Sequence, residues 1–449
     1  KEGEDEFSEA FRVEALIRKY SDHIGFPVAL VDHAGDDQES KVVNSATALW
    51  TRSRSEITDD EYKEFYKYLT HDFADPLTWS HNRVEGKREY TSLLYIPATA
   101  PFDLWNREAP RGLKLYVQRV FIMDEAEQFL PLYLRFVKGV VDSSDLPLNV
   151  SRELLQQNPE LTSIRSALTR RVLDMLGKMA SSDEEQYQSF WQQFGQVLKE
   201  GLVEDHANRD KLAKLLRFAT THTGTDTQDQ SLEDYVARAK PEQEKIYYLL
   251  AENYATAVTS PHLEKLRERG IEVLLLTDRI DPWLVDGLAE FDGKTLVDVA
   301  RSALDLPDEE AKAEQATDKE HEALLERVKT ALSERVESVT ISRRLVDSPA
   351  CVVAGESDLN PQLRRMLEAS GQAIPESRPI LEINVSHPLV DRLAAEADDE
   401  RFGDLSNIVL DHALLAEGSQ LEKPADYVQR INKLLLDMDT GKQGGQETT

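Results

Sequence analysis

The spacing of apolar and polar residues predicts the elements of the chain, beginning with one helix and one strand. Phe7, Phe11 and Ala15 recur at helical spacing. Residues 26–31 form an apolar run that predicts a strand, and the acidic, glycine-containing stretch 32–40 predicts a loop. This first part of the chain therefore reads as a helix and a strand without a domain around them.

The next part predicts a helix followed by two strands. Thr58 with Glu61 three residues later is a capping box, which is typical of a helix start. Residues 90–96 and 113–122 are rich in β-branched, aromatic and other apolar residues, and each predicts one strand. A polar, proline-containing loop separates the two.

The remaining pattern favours layers of helix and strand. Residues 228–310 alternate the two, and 271–276 is an apolar run typical of a buried strand. From residue 320 onward the pattern predicts helix, strand pair, helix, strand and two closing helices. These three strands are predicted over residues 336–345, 350–354 and 379–385.

We therefore predict an α/β and α+β multidomain fold, in which a layered α/β domain is followed by a mixed α+β domain. The predicted bounds are the helix and strand over residues 1–31, a linker over 32–45, the α/β domain over 46–308, the α+β domain over 309–438 and a disordered tail over 439–449.

Composition narrows the possible partners. The 83 acidic residues against 53 basic ones give a formal net charge of −30, which argues against nucleic acid and against an anionic membrane surface. Cys351 is the only cysteine, so no intrachain disulfide can form and a reducing compartment is expected. No apolar run approaches the ~18 residues of a membrane span. Without a signal peptide or an initiator methionine, the chain is expected to be a piece of a longer protein.

Most catalytic motifs are missing from the sequence. We find no phosphate-binding glycine loop, dinucleotide-binding pattern or nucleophile elbow, and no histidine spacing typical of a metal site. The sequence does not predict a self-contained catalytic centre or a metal ion.

One segment, DSSDLPLNVSRELLQQ over residues 142–157, predicts an anion site. Ser151 is a good N-cap, which places Arg152 at the first helical position beside free backbone N–H groups. Gln156 follows four residues later on the same helix face. Arg152 could thus reach a phosphate held elsewhere, although spacing alone favours an ordinary ion pair with a nearby carboxylate.

This segment resembles the catalytic loop of the heat shock protein 90 family, in its bacterial form of the high-temperature protein G type. Similar stretches run from residue 1 to about 437. The most specific are ALWTRSRSEI (48–57), DPLTWSHNRVEGKREYTSLLYIPATAPFDLW (75–105), LKLYVQRVFIMDEAEQF (113–129) and IEVLLLTDRIDPWLVDGLAEFDGK (271–294).

The resemblance implies an ATP-driven, homodimeric chaperone with N-terminal, middle and C-terminal domains. ATP and Mg²⁺ would bind in the N-terminal domain, of which residues 1–31 match only the last helix and strand. Arg152 matches the arginine that contacts the γ-phosphate, with Gln156 and Asn149 as supporting polar residues. Phe121 matches an aromatic at the joint between the N-terminal and middle domains. By itself this chain is expected to bind no nucleotide and to be inactive as an enzyme.

The resemblance also implies client-binding side chains in two places. Leu359, Leu363, Met366 and Leu367 share one face of a predicted helix. Pattern alone favours a core-facing helix, whereas the resemblance implies a helix that projects toward clients. Trp283 matches a client-contacting tryptophan, with core packing as the alternative. Weaker candidates are Trp50, Phe102 and Trp105.

The last helix is predicted to form the dimer interface. Its apolar residues recur at 3-4-3 spacing, the seam of a helix bundle: Val428, Ile431, Leu435 and Met438. Paired with the preceding helix, it would build a four-helix interface as the family does, while intrachain packing is the alternative.

We therefore predict a cytoplasmic chaperone that binds partly folded clients, forms a homodimer and works with other chaperones. The alternative from a different class is a structural dimeric scaffold that holds no clients.

Overall fold

The computed structural model describes residues 9–31, 40–86, 89–109, 111–148, 159–301, 311–355 and 377–443, with positions 358–359, 363–364, 367 and 371–372. In the helix ends 159–160, 311–320 and 437–443 only the backbone is described. The chain divides into two compact units, residues 1–216 and 217–449. The domain bounds given above stay predictions.

The first unit is built on a five-stranded mixed sheet in the order β3-β4-β7-β5-β6, in which only β5 and β7 run parallel. A separate antiparallel pair joins β1 and β2. The strands are β1 (Ala29–Val31), β2 (Ser40–Val42), β3 (Thr78–Val84), β4 (Tyr90–Ile96), β5 (Leu113–Val117), β6 (Val120–Ala126) and β7 (Lys138–Ser143). The helices are α1 (Ala10–Ser21), α2 (Asp59–Thr70), α3 (Pro159–Ser182), α4 (Glu184–Lys199), α5 (Gly201–Glu204) and α6 (Arg209–Leu215).

Local signals in this unit were strong enough to place two elements. The predicted capping box is present, because Glu61 N–H donates to Thr58 Oγ1 at 3.3 Å and Thr58 N–H donates to Glu61 Oε2 at 2.8 Å. Strand β4 covers the predicted residues 90–96 and is buried along nearly its whole length. Both helix α2 and strand β4 therefore contribute to one aromatic core, in which Tyr66 and Tyr95 pack 5.3 Å apart.

The prediction of a single strand over residues 113–122 is wrong. The chain reverses at Gln118 and Arg119, whose φ angles are 51° and 67°, and β5 pairs back with β6. Two consecutive left-handed residues match the twist of a tight hairpin. Such turns usually contain asparagine or glycine, so the sequence Gln-Arg gave no turn signal.

The second unit contains two sheets. The first has the order β11-β12-β9-β10-β8, with β9 parallel to both β10 and β12, and the second has the order β13-β15-β14. The strands are β8 (Ala219–Thr220), β9 (Lys245–Leu250), β10 (Val273–Leu276), β11 (Glu290–Phe291), β12 (Lys294–Asp298), β13 (Ser338–Ile341), β14 (Ala350–Val353) and β15 (Ile380–Ile383). The helices are α7 (Leu232–Arg238), α8 (Tyr254–Val258), α9 (Glu264–Glu268), α10 (Asp281–Gly287), α11 (Ala311–Ala331), α12 (Pro388–Ala394), α13 (Asp399–Ala416) and α14 (Pro424–Gln443).

The α/β and α+β multidomain fold class is confirmed, with three local corrections. The predicted strand pair does not form, because β13 and β14 each pair with β15, which lies between them. Three helices close the chain instead of two, since α12 precedes the others. Helix α14 continues to Gln443, past the predicted start of the tail at residue 439.

Two acidic side chains of this unit bind the loop between β13 and β14. Glu264, at the start of α9, accepts hydrogen bonds from the N–H groups of Val346 and Asp347 at 2.6 and 2.8 Å. Glu382, on β15, forms a two-pronged pair with the buried Arg344 at 2.9 and 3.0 Å. Because both carboxylates are satisfied, they fix the loop that precedes β14.

Glu264→Gln is expected to lower the free energy of unfolding at neutral pH by about 1.5–3 kcal/mol, the range for hydrogen bonds to a charged group. Burial opposes ionisation, but hydrogen bonds from Ser348 and the backbone lower the pKa of Glu264 below its ordinary value. A lowered folded-state pKa adds stability above the unfolded value of 4.5, and that stability is lost as pH falls through the folded pKa.

Urea unfolding at pH 7 and at stepwise lower pH measures this effect. The difference between wild type and Glu264→Gln should shrink as the solution becomes acidic. Glu268→Gln, which breaks only a surface pair with Lys265 at 2.8 Å, is the control and should stay within about 0.5 kcal/mol of wild type. A pH-independent difference would show that the carboxylate charge contributes nothing.

Candidate functional site

The three residues predicted to act on a phosphate lie outside the described residues. These are Asn149, Arg152 and Gln156, and they fall between β7, which ends at Ser143, and α3, which begins at Pro159. The described part of this site is the root of the loop, defined here as residues 142–146, together with the side chains that hold it.

Hydrogen bonds fix the root on both sides. Ser143 Oγ accepts from the N–H groups of Asp145 and Leu146 at 3.3 Å each. Asp145 Oδ2 accepts from Glu89 N–H at 2.7 Å, and Ser144 N–H donates to the Glu89 carbonyl at 3.0 Å. The segment ahead of β4 therefore clamps the chain as it leaves the sheet.

Asp142 is the buried anchor of this root. Its Oδ2 accepts from Trp50 Nε1–H at 2.8 Å, and its Oδ1 accepts from Arg119 N–H at 3.1 Å. A buried carboxylate is tolerated only when such donors satisfy it. Since Arg119 belongs to the β5–β6 turn, the unpredicted hairpin helps to hold the root of the loop.

An aromatic cluster connects this anchor to the first helix. Phe121 is buried, with its ring 5.6 Å from Tyr116 and 5.9 Å from Tyr20 of α1. Tyr116 lies 4.7 Å from Trp50, which carries the hydrogen bond to Asp142. Burial raises the pKa of the Tyr116 hydroxyl above its ordinary value. Phe121 thus packs between α1 and the sheet, and its role at a domain joint stays a prediction.

The predicted client-binding residues differ in how far they are exposed. Trp283, on α10, is 36% exposed, which leaves part of its ring accessible. Leu359, Leu363 and Leu367 are half-buried, and the last two have helical backbone, while Met366 lies outside the described residues. Of the weaker candidates, Trp50 is corrected to a core residue, because it is buried and hydrogen-bonded to Asp142.

The structure exposes an aromatic side chain that the sequence reading missed. Phe73 is 97% exposed and Phe102 is 100% exposed, and Trp105 is more than half exposed. Both phenylalanines lie beyond the same end of the β3–β4 hairpin, where Leu77 N–H donates to the Ile96 carbonyl at 2.8 Å. We call Phe73, Phe102 and Trp105 the aromatic loop-end residues. Of the three, only Phe73 was not predicted, and its loop position next to a strand end is the one feature of the sequence that could have indicated it.

The last helix divides its apolar residues between two environments. Leu434 packs against the core of the second unit, whereas Val428 is 53% and Leu435 is 59% exposed. Ile431 is half-buried, and the side chain of Met438 is not described. Lys433 Nζ donates to Glu400 Oε1 at 2.8 Å, which holds α14 against α13.

Two kinds of site do not occur within the described ranges. No helix there is both long and apolar enough to cross a membrane, and no three acidic, histidine or cysteine side chains gather in a way that could hold a metal ion.

In a comparison with protein families, the family model described as Hsp90 protein matches residues 35–448 of this chain.

Proposed function

The chain belongs to the Hsp90 family, and from this premise we propose a chaperone of the bacterial type that holds partly folded clients as a cytoplasmic homodimer. Membership supports the chaperone role itself, since the family match covers most of the chain. The proposal adds the client-binding surfaces, the dimer interface and the catalytic loop.

The exposure of the aromatic loop-end residues carries the client-binding proposal. An exposed aromatic ring offers a large apolar area that a binding partner can bury. Phe73 and Phe102 offer two almost fully accessible rings beyond one end of one hairpin. Aromatic side chains also dominate binding energy at protein interfaces. Trp283 and the half-buried leucines of 359–367 would extend client contact in the second unit.

The double variant Phe73→Ser with Phe102→Ser is expected to hold clients less well. Each truncated anchor costs about 1 kcal/mol or more, so the concentration that halves aggregation should rise about tenfold or more. Light scattering of a heat-denatured client measures this. Phe11→Ser removes another exposed ring, on α1, and serves as the matched control.

The same assay separates the proposal from its alternative. A structural dimeric scaffold would not suppress aggregation at any concentration, with or without the two phenylalanines. If the chain suppresses aggregation and the double variant does so equally well, clients bind elsewhere. Loss of suppression in Phe11→Ser as well would indicate general surface stickiness instead of a defined site.

We further propose that ATP and Mg²⁺ serve the catalytic loop from the family's N-terminal domain. Around the loop root, the described residues suit a supporting role: both oxygens of Asp142 are occupied by Trp50 and Arg119. This part of the chain therefore orients the loop, and Arg152, Gln156 and Asn149 are the residues proposed to act on the nucleotide. Other chaperones remain proposed partners.

A further inference from the structure

A small cavity in the first unit lies between the start of β5, the segment after β6 and helix α3. Its volume is ≈ 180 Å³. Five aliphatic side chains line it: Leu130, Pro131, Leu132, Leu134 and Val137. Arg111, Arg135 and Arg165 also line it, with Glu127 as the one acidic residue. The cavity therefore combines aliphatic walls with three guanidinium groups, in a chain with a net charge of −30.

Arg135 is a structural part of the wall. Its guanidinium forms a two-pronged pair with Glu200 at 2.8 and 2.9 Å. Its Nε also donates to the Leu104 carbonyl at 2.8 Å and its Nη1 to the Leu132 carbonyl at 3.1 Å. Because its donors are occupied within the protein, Arg135 has little capacity left for a ligand.

Arg111 and Arg165 have hydrogen-bond donors that could bind a ligand. The Nη1 of Arg111 is buried without a hydrogen-bond partner, and its Nη2 reaches Glu127 only at 3.4 Å. Arg165 lies exposed on α3 and forms no ion pair with the part of the chain that the structure describes. A buried donor without a partner is costly unless something outside the chain accepts from it.

Gly112 explains how Arg111 comes to this position. Its φ is +116°, and a Cβ there would lie 2.7 Å from the Ala126 carbonyl carbon. Only glycine lets β5 begin this close to the end of β6. The close approach sets Arg111 beside Glu127 in the wall of the cavity.

Size and charge together select the ligand. The cavity is smaller than the roughly 300–1,000 Å³ of drug-sized sites, so it fits a few heavy atoms. Glu127 offsets one of the two available guanidiniums, which favours a monoanion over a phosphate dianion. Arginine forks match the two oxygens of a carboxylate. We propose that this cavity binds a carboxylate with a short aliphatic group, whether from a free short-chain acid or from the C-terminus of a peptide ending in an aliphatic residue.

Isovalerate is the probe, with saturation-transfer difference NMR on the full chain. Its methyl groups should receive saturation, and isovaleramide, which has the same shape without the charge, should receive none. Arg165→Gln and Arg111→Gln should each weaken binding about ten- to a hundredfold, as expected for a lost hydrogen bond to a charged group. The control Arg83→Gln removes an exposed arginine paired with Glu85 and should bind as wild type.

A competing peptide ending in leucine, compared with its C-terminal amide, identifies the source of the carboxylate. Competition by the acid form alone assigns the site to peptide C-termini, and no competition assigns it to free acids. Three results would overturn the proposal: no saturation transfer to isovalerate, equal transfer to isovaleramide, or unchanged binding in both Arg165→Gln and Arg111→Gln. The proposal would also be rejected if inorganic phosphate bound this site more tightly than isovalerate does, as judged by its ability to displace the isovalerate probe.

Discussion

Leu435→Asp is expected to turn the proposed dimer into monomers at micromolar concentration while each chain stays folded. Leu435 and Val428 lie exposed on α14, so a partner helix can cover them. Burying one leucine contributes about 1.5–3 kcal/mol, and truncation in a packed site costs about 2–5 kcal/mol. In a two-fold interface the substitution is made twice. It would also bury two unpaired carboxylates, which costs more than a cavity does.

The adjacent leucine supplies a matched contrast. Leu434 packs against the core of its own chain, so Leu434→Ala should lower the midpoint of urea unfolding and leave the dimer comparatively intact. Analytical ultracentrifugation reports the assembly, and circular dichroism reports the fold. A dimer that survives Leu435→Asp would place the interface elsewhere. Unfolding by Leu435→Asp would mean that this face of α14 belongs to an intrachain core.

The contrast between Leu434 and Leu435 also shows what the spacing of apolar residues cannot predict. The 3-4-3 spacing correctly predicts a long amphipathic helix over residues 424–438. The same spacing cannot say which apolar stripe faces the helix's own chain and which stays free, because both stripes obey the same periodicity. Only the packing of Leu434 against the core of the second unit separates it from Leu435.

Sequence patterns correctly predicted the elements whose structure depends on interactions between residues a few positions apart. The Thr58–Glu61 capping box and strand β4 depend on residues a few positions apart, and both are present. The β5–β6 turn was missed because Gln118 and Arg119 adopt left-handed backbone that their side chains do not favour. Pairing of the flanking strands imposes that conformation, and it is a tertiary effect.

The candidate site was predicted only in part for the same reason. Family resemblance pointed to Arg152, yet no local pattern connects Trp50 with Asp142, which lie 92 positions apart. The root of the loop depends on that bond and on a turn that the sequence did not signal. Phe73 was missed because a lone aromatic in a loop has no periodicity to mark it.

Arg152→Ala is expected to cut ATP turnover about 10³-fold or more, the range for an arginine that meets the transferred phosphoryl group. The test uses a chain that carries the family's ATP-binding domain ahead of these residues. Affinity for ATP should stay nearly unchanged, because Arg152 is proposed to reach the phosphate only in the closed, reacting state. An interaction made only at that stage appears in kcat and not in binding.

Steady-state hydrolysis and nucleotide titration on the same protein separate the two effects. Arg83→Ala, which removes an exposed arginine paired with Glu85 at 3.0 Å, should hydrolyse ATP as wild type does. Arg152→Lys retains the charge but loses the planar fork, so only a small part of the rate should return. Hydrolysis at the wild-type rate in Arg152→Ala would reject the assignment. A large fall in ATP affinity would instead place Arg152 in the ground-state binding site. If Arg152 contacts ATP only in the closed state, its removal cannot weaken the binding of ATP to the open state.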